Sequence, residues 1–166
     1  YGTEFVQVIT PTTTTAIDIA LPSTSSFGSV TIELQNVGMT SSTSQLLEIQ
    51  TSSDGGSTFA SASNSYNTNG TDGSTIEITN DTKNNSNKGI SGEVKIYGYD
   101  ISASWTAIHS NLSFEDSSTS GDIVFKSTHG WRKANEITTH VRLKFSSGSN
   151  FRSGQGRIIV RGHRKN

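Results

Sequence analysis

Four histidines, His109, His129, His140 and His163, have the widest scope for chemistry near neutral pH. Zinc binding or general-base work would pair one of them with a companion at ligand or hydrogen-bond spacing. None of HxH, HxxxH or HExxH occurs. His109 and His129 fall in or beside strand-like runs close to Trp105 and Trp131, which predicts half-exposed packing roles. GxSxG, P-loop and GxGxxG patterns are also missing, so nothing marks a nucleophile elbow or a phosphate cradle. The chain has no cysteine, which removes a thiol nucleophile, a thiolate metal site and a disulfide framework. The expectation is a protein that is not an enzyme and carries no metal or cofactor.

The stretch "SSDGGSTF" (52–59) fits the Asp-box pattern Ser-x-Asp-x-Gly-x-Thr-aromatic. Asp54 can accept backbone N–H bonds across a turn, Gly55 and Gly56 tolerate positive φ, and Phe59 is expected to tuck beneath it. A sialidase propeller would repeat the box, so a single copy predicts a structural hairpin. Glu115, Asp116, Asp122 and Asp72 supply oxygen atoms of the kind calcium takes. With no EF-hand loop or RTX repeat around them, they are read as solvated loop carboxylates. Five aromatics, Tyr66, Tyr97, Tyr99, Trp105 and Trp131, could form a platform for sugar rings. A chain this poor in apolar residues is expected to place Trp105 and Trp131 in its core or at a subunit interface. That leaves Tyr66, with Asn67, Asn69 and Asp72 of the loop 60–74, as the glycan-binding candidates, and loop 80–91 beside them.

The elements that position these groups read as strands. Only 30% of the 166 residues are apolar, against 28 Ser and 22 Thr, so the core must be thin and drawn from alternating positions. At 16% charged residues, solubility rests largely on hydroxyls and amides, which points to an exterior or particle-bound protein. Two-residue alternation predicts ten strands: Phe5–Thr10, Ala16–Leu21, Ser29–Val37, Leu46–Thr51, Thr75–Thr79, Gly92–Tyr99, Ser104–Phe114, Asp122–Thr128, Ile137–Ser146 and Gly156–Gly162. Val30, Ile32 and Leu34 share a face; so do Ile76 and Ile78, Val94 and Ile96, and Val141, Leu143 and Phe145. The fold class is therefore all-β, an antiparallel sandwich in one domain, with residues 1–14 as an arm or a connection to a preceding segment. "SGEVKIYGYD" (91–100) echoes "SGQGRIIVRGHR" (153–164), which predicts equivalent strands in opposed sheets.

Charge is uneven. Residues 1–125 hold three basic and thirteen acidic side chains, formally −10, and residues 126–166 hold ten basic and one acidic, formally +9. Without an aromatic-interleaved basic helix this asymmetry does not indicate nucleic acid. It predicts pairing between neighbouring strands or between subunits. No apolar stretch approaches the ~20 residues of a membrane helix, so no membrane insertion is expected. The start "YGTEFVQVIT" carries no signal-peptide pattern and no initiator Met, consistent with a processed or trimmed chain.

"LLEIQTSSDGGSTFASA", then "SGEVKIYGYD", then "GWRKANEITTHVRLKFSSGSNFRSGQGRIIVRGHRKN" together resemble a family of tailed-bacteriophage virion proteins. In that family a "STDGGSTW"-like hairpin leads to a "GTVYLYNP"-like strand and the end reads "(I/V)xxIRFxFSSGNIxSGTIxLYGIK". The resemblance covers roughly residues 15–165, and its closing motif runs from about Ile137 to Lys165. Here "VRGHRKN" stands where relatives have "LYGIK", which puts Arg161 in place of an aromatic. The resemblance implies a jelly-roll-like module of tail fibres, head fibres or capsid decorations on the virion surface. It implies a non-enzymatic homo-oligomer, a trimer first, that contacts other virion proteins and host-surface polysaccharide. Arg132, Arg142, Lys144, Arg157 and Arg161 are then the candidates to pair with acidic residues of a neighbouring subunit or capsid protein.

Overall fold

The protein is described by a computed structural model that covers residues 3–22, 26–41, 43–82, 88–117 and 122–165. Twelve strands form two antiparallel sheets, with no helix among the described residues. The large sheet runs, edge to edge, β1 (Thr3–Ile9), β12 (Arg157–Arg164), β3 (Phe27–Val37), β8 (Ile90–Tyr97), β9 (Ala107–Glu115), β10 (Ile123–Arg132), β5 (Tyr66–Thr68) and β6 (Thr71–Gly73). The small sheet runs β2 (Ala16–Ala20), β11 (His140–Phe145), β4 (Leu47–Ser52) and β7 (Ile76–Glu77). Both sheets thus receive a late strand between early ones, β12 between β1 and β3, and β11 between β2 and β4.

Alternation explains the core. Val30, Ile32 and Leu34 of β3, Val94 and Ile96 of β8, Ile158 and Val160 of β12, and Val141, Leu143 and Phe145 of β11 are buried at every second position. Their intervening neighbours Thr31, Glu33, Lys95, Arg161, Arg142 and Lys144 are only half-buried. Period two gives each strand one apolar face, and two such faces close on each other. Where β10 crosses β7 the spacing is tight: a β carbon at Gly130 would lie 2.7 Å from Ile76 Cδ1.

Four expectations need correction. The strands number twelve because residues 66–73, read as loop, form the hairpin β5–β6. Its Asn69-Gly70 tip has φ of 50° and 92°, the two positive values of a type I′ turn. Residues 3–9 are no arm, because β1 pairs with β12 from Thr3 to Ile9. The echoing segments belong to one sheet, not two, since β8 and β12 flank β3 on either side. Trp105 and Trp131 lie outside the core, both exposed, while Tyr66 and Tyr99 are fully buried.

Tyr66 reaches across the sandwich. β7 pairs with β4 only at Glu48 and Ile49, so the backbone of Thr51 has no strand partner on that side. The Thr51 N–H donates instead to the Tyr66 hydroxyl at 2.7 Å, and that hydroxyl donates to the Ala60 carbonyl at 3.1 Å. Burial raises the phenol's pKa, and the Arg132 guanidinium lies 5.6 Å from the ring centroid. Tyr99 has a similar task, its hydroxyl donating to the Pro22 carbonyl, with burial pushing its pKa to about 12.

Candidate functional site

Cross-strand partners in an antiparallel pair share a face, so the register lays out the outer surface of the large sheet in rows. One row reads Tyr97, Ala107, Trp131, Asn67, Asp72 across β8, β9, β10, β5 and β6. The next row toward the middle of the sheet reads Arg161, Thr31, Lys95, His109, His129. Tyr97 is 40% exposed and Trp131 42%, while Ala107 between them is only 6% exposed. Two exposed aromatics therefore flank Ala107, which is almost fully covered. Trp105, two residues before Ala107, is also exposed.

Beyond Trp131 the row is polar. Asn67 donates from Nδ2 to Asp72 at 2.9 Å, and Lys133 Nζ meets the other Asp72 oxygen at 2.6 Å. Hydrogen bonds from Lys133 and then Asn67 hold the Asp72 carboxyl below its ordinary pKa. On the inner side, the His109 and His129 rings meet edge to face at 4.7 Å, and Tyr97 meets His109 in the same manner at 5.6 Å. Burial, with His129 as a second cause, lowers the pKa of His109.

Of the sequence-derived glycan candidates, Asn67, Asn69 and Asp72 come together on the β5–β6 hairpin. Asn69 is committed to holding that hairpin against β10, accepting from the His129 N–H at 3.1 Å while its own N–H donates to the His129 carbonyl at 3.0 Å. Tyr66 belongs to the same hairpin but points into the core, so it offers no exposed ring. Of the five aromatics that the sequence offered, Tyr97, Trp105 and Trp131 are exposed, and Lys133 is a polar group that local pattern did not single out. On the hairpin's other flank a cleft of about 330 Å³ is bordered by Thr68, Asn69, Asp72, Thr75, Glu77 and Lys126. Desolvation lowers the pKa of Lys126, whose ammonium donates to the Thr79 carbonyl at 3.0 Å. Loop 80–91 is described only in part, residues 83–87 lying outside the described residues, as do 118–121 of the acidic stretch 114–122. Among the described residues no three His, Asp or Glu side chains converge as a closed metal site would require.

The five basic candidates have acceptors within the chain. Arg132 pairs with Glu136 at 2.8 Å, Arg142 with Asp18 at 2.6 Å, Lys144 with Glu48 at 2.8 Å and Arg161 with Glu33 at 3.5 Å. Arg157 donates to Gln35 Oε1 at 2.5 Å. Three of these pairs, Arg142–Asp18, Lys144–Glu48 and Arg161–Glu33, join the acidic first part of the sequence to its basic last part across neighbouring strands. Arg142 also lies over the Phe59 ring, 3.9 Å from its centroid, so Phe59 tucks beneath a guanidinium.

The Asp-box segment is a closed turn. Asp54 accepts from Ser52 Oγ at 2.6 Å, from the Thr58 N–H at 2.9 Å and from Thr58 Oγ1 at 2.6 Å. Gly55 and Gly56 both have positive φ. The Ser52 hydroxyl first, then Thr58, holds the Asp54 carboxyl far below the usual carboxylate range. Followed by NMR, Asp54 is expected to titrate well below an ordinary aspartate, whose pKa is about 3.9. A folded-state pKa below the unfolded one means that the turn has its full hold above the unfolded value and loses it as pH falls through the folded value. An ordinary midpoint would show that Ser52 and Thr58 do not hold the charge.

No protein-family model, no curated protein and no solved structure matches this chain.

Proposed function

We propose that this chain is a non-enzymatic structural module of a bacteriophage or phage-like particle. It is a fibre, spike or capsid-decoration component that assembles as a cyclic homo-oligomer, a trimer in the simplest case. The observation that carries the assembly is a pair of separate apolar patches on the large sheet. Val6 and Val8 are 53% and 59% exposed on the edge strand β1; Ile123 and Phe125 are 55% and 71% exposed on β10, beyond the reach of the short β5. β1 and β10 stand five strands apart, on the order of 24 Å at ordinary strand spacing. Two different patches at opposite sides of one sheet suit a head-to-tail contact, and a head-to-tail contact whose rotation closes makes a ring. The strand order supports a jelly-roll reading: β1-β12-β3-β8 faces β2-β11-β4-β7, as in a double Greek key, with β5–β6 and β9–β10 as insertions.

Light scattering tests the assembly. The unmodified chain is expected to show a mass of three copies, and Val8→Asp or Phe125→Asp alone to show one. An equimolar mixture of the two variants retains one intact contact between unlike partners, so it is expected to stop at dimers. An unmodified chain that stays monomeric at high concentration would overturn the proposal, and a mixture that stays monomeric would overturn the head-to-tail contact.

A second reading, a carbohydrate-binding adhesion module for host-surface glycan, is favoured by one observation, the exposed aromatic pair Tyr97 and Trp131.

A further inference from the structure

We propose that the facing imidazoles of His109 and His129, on the outer face of the large sheet, form an open two-ligand site for a divalent transition metal of the kind that imidazole binds: zinc, nickel or copper. His129 of β10 stands directly opposite His109 of β9. Opposed residues in an antiparallel pair come in two kinds, and their side chains lie closer where the two share no backbone hydrogen bond. His129 turns both of its backbone groups to the other side, its N–H donating to Asn69 Oδ1 and its carbonyl accepting from the Asn69 N–H. The two histidines are therefore a close pair, with Cα atoms about 4.5 Å apart.

The rings already stand at chelating distance. Their centres are 4.7 Å apart. Two imidazoles held to one metal at about 2.0–2.1 Å, at an angle between square and tetrahedral, place their ring centres about 4.5–5 Å apart. What remains is a turn about χ2, a broad torsion in histidine. No protein hydrogen bond holds either ring, whereas the His163 and His140 rings are bonded to Thr31 at 2.9 Å and to Thr139 at 3.2 Å. His129 is exposed and His109 half-buried, so an ion in solution reaches the pair. Tyr97 backs the His109 ring from the β8 side, edge to face at 5.6 Å.

The donor set selects the ligand class. Two neutral nitrogens suit zinc, nickel and copper, while magnesium and calcium take oxygen. Among the described residues no third His, Asp or Glu joins the pair, so the remaining coordination positions fall to water or to a donor on another molecule. Lys95, opposite His109 on β8, would repel a cation, but its ammonium is bonded to Glu93 at 2.8 Å and the two charges cancel. The site stands whether or not the chain assembles.

Isothermal titration of the full chain with zinc, nickel and copper salts tests the site, with magnesium and calcium as hard-cation probes. One transition-metal ion per chain is expected. Copper should also quench tryptophan emission, because Trp131 lies two residues from His129 on the same face, about 7 Å along β10. His109→Ala and His129→Ala should each weaken binding about tenfold or more, since even a residue that only orients a ligand costs that much. His140→Ala and His163→Ala should leave it unchanged. Where a variant unfolds, NMR of the unmodified chain decides: zinc should shift the ring signals of His109 and His129 together and leave those of His140 and His163 in place. Full-strength binding by His109→Ala or His129→Ala, or shifts at one of the two rings alone, would overturn the pair. Calcium or magnesium bound as tightly as zinc would overturn the ligand class, and no binding at millimolar metal would overturn the site itself.

Discussion

Gly92→Ala is expected to lower the stability of the fold by more than about 4 kcal/mol, enough to unfold a domain of ordinary stability. Gly92 lies mid-strand in β8 with φ of 135°, where side chains other than glycine's are strained. A β carbon there would sit 2.1 Å from the Asn111 carbonyl oxygen and 3.0 Å from Leu112 Cα, both backbone atoms of β9. Neither can move without parting two central strands of the large sheet. Gly92 also sits beside a bulge in β3: pairing with β8 passes from Leu34 opposite Gly92 to Val37 opposite Ile90, with Asn36 at φ 55°. Asn36 is anchored there, its N–H donating to Ser91 Oγ at 2.9 Å and its Oδ1 accepting from the Gly89 N–H at 2.6 Å. Gly148→Ala is the control. That residue also has positive φ, 70°, but nothing lies within 4 Å of its would-be β carbon. Its cost should be the left-handed penalty alone, about 1–2 kcal/mol. Equilibrium urea unfolding measures both, and equal losses would show that the β8–β9 approach is not a close one.

The second large effect is at Tyr66. Removal of the whole ring in Tyr66→Ala is expected to cost about 3–5 kcal/mol, as for other buried aromatics. Tyr66→Phe keeps the ring and loses the hydroxyl, which leaves the buried Thr51 N–H without its acceptor, at about 1–3 kcal/mol. Neither change touches the outer face. Tyr66→Phe should therefore lower the urea midpoint and leave the exposed rings of the large sheet in place. An unchanged midpoint would return Tyr66 to the exposed role that its Asn-rich surroundings suggest.

Tyr66 also shows where local pattern stops. Alternation identified the inward faces of β3, β8 and β11, where the residues between the apolar ones are charged or hydroxylic. β5 and β6 have three residues each, made almost wholly of hydroxyl, amide and carboxylate side chains, too short and too polar to carry a period. Their one local signal is the Asn69-Gly70 turn. The exposed aromatics were hidden for another reason. Ile123, Phe125, His129 and Trp131 alternate correctly along β10, yet alternation does not say which side is inward, and Gly130 and Thr128 occupy the buried side. Composition suggested that large rings are needed inside; the buried volume is instead filled by isoleucine, leucine and valine with Tyr66, Tyr99, Phe114, Phe145 and Phe151. The outer row depends on register between strands far apart in sequence, Tyr97 beside Ala107 beside Trp131 beside Asn67. No single stretch encodes that neighbourhood.

The interleaving of β11 and β12 bears on how the chain is made. β1 and β3 meet only through β12, and β2 and β4 only through β11. While residues 140–164 are still inside the ribosome, both sheets lack the strand that joins their earliest members. The apolar faces of Val30, Ile32 and Leu34, and of Leu47 and Ile49, then wait for partners more than 90 residues away in sequence. Contacts of that separation form slowly, and strands left open during synthesis invite pairing with other nascent chains. The low apolar content of the chain as a whole, 30%, limits how much apolar surface is open during that interval.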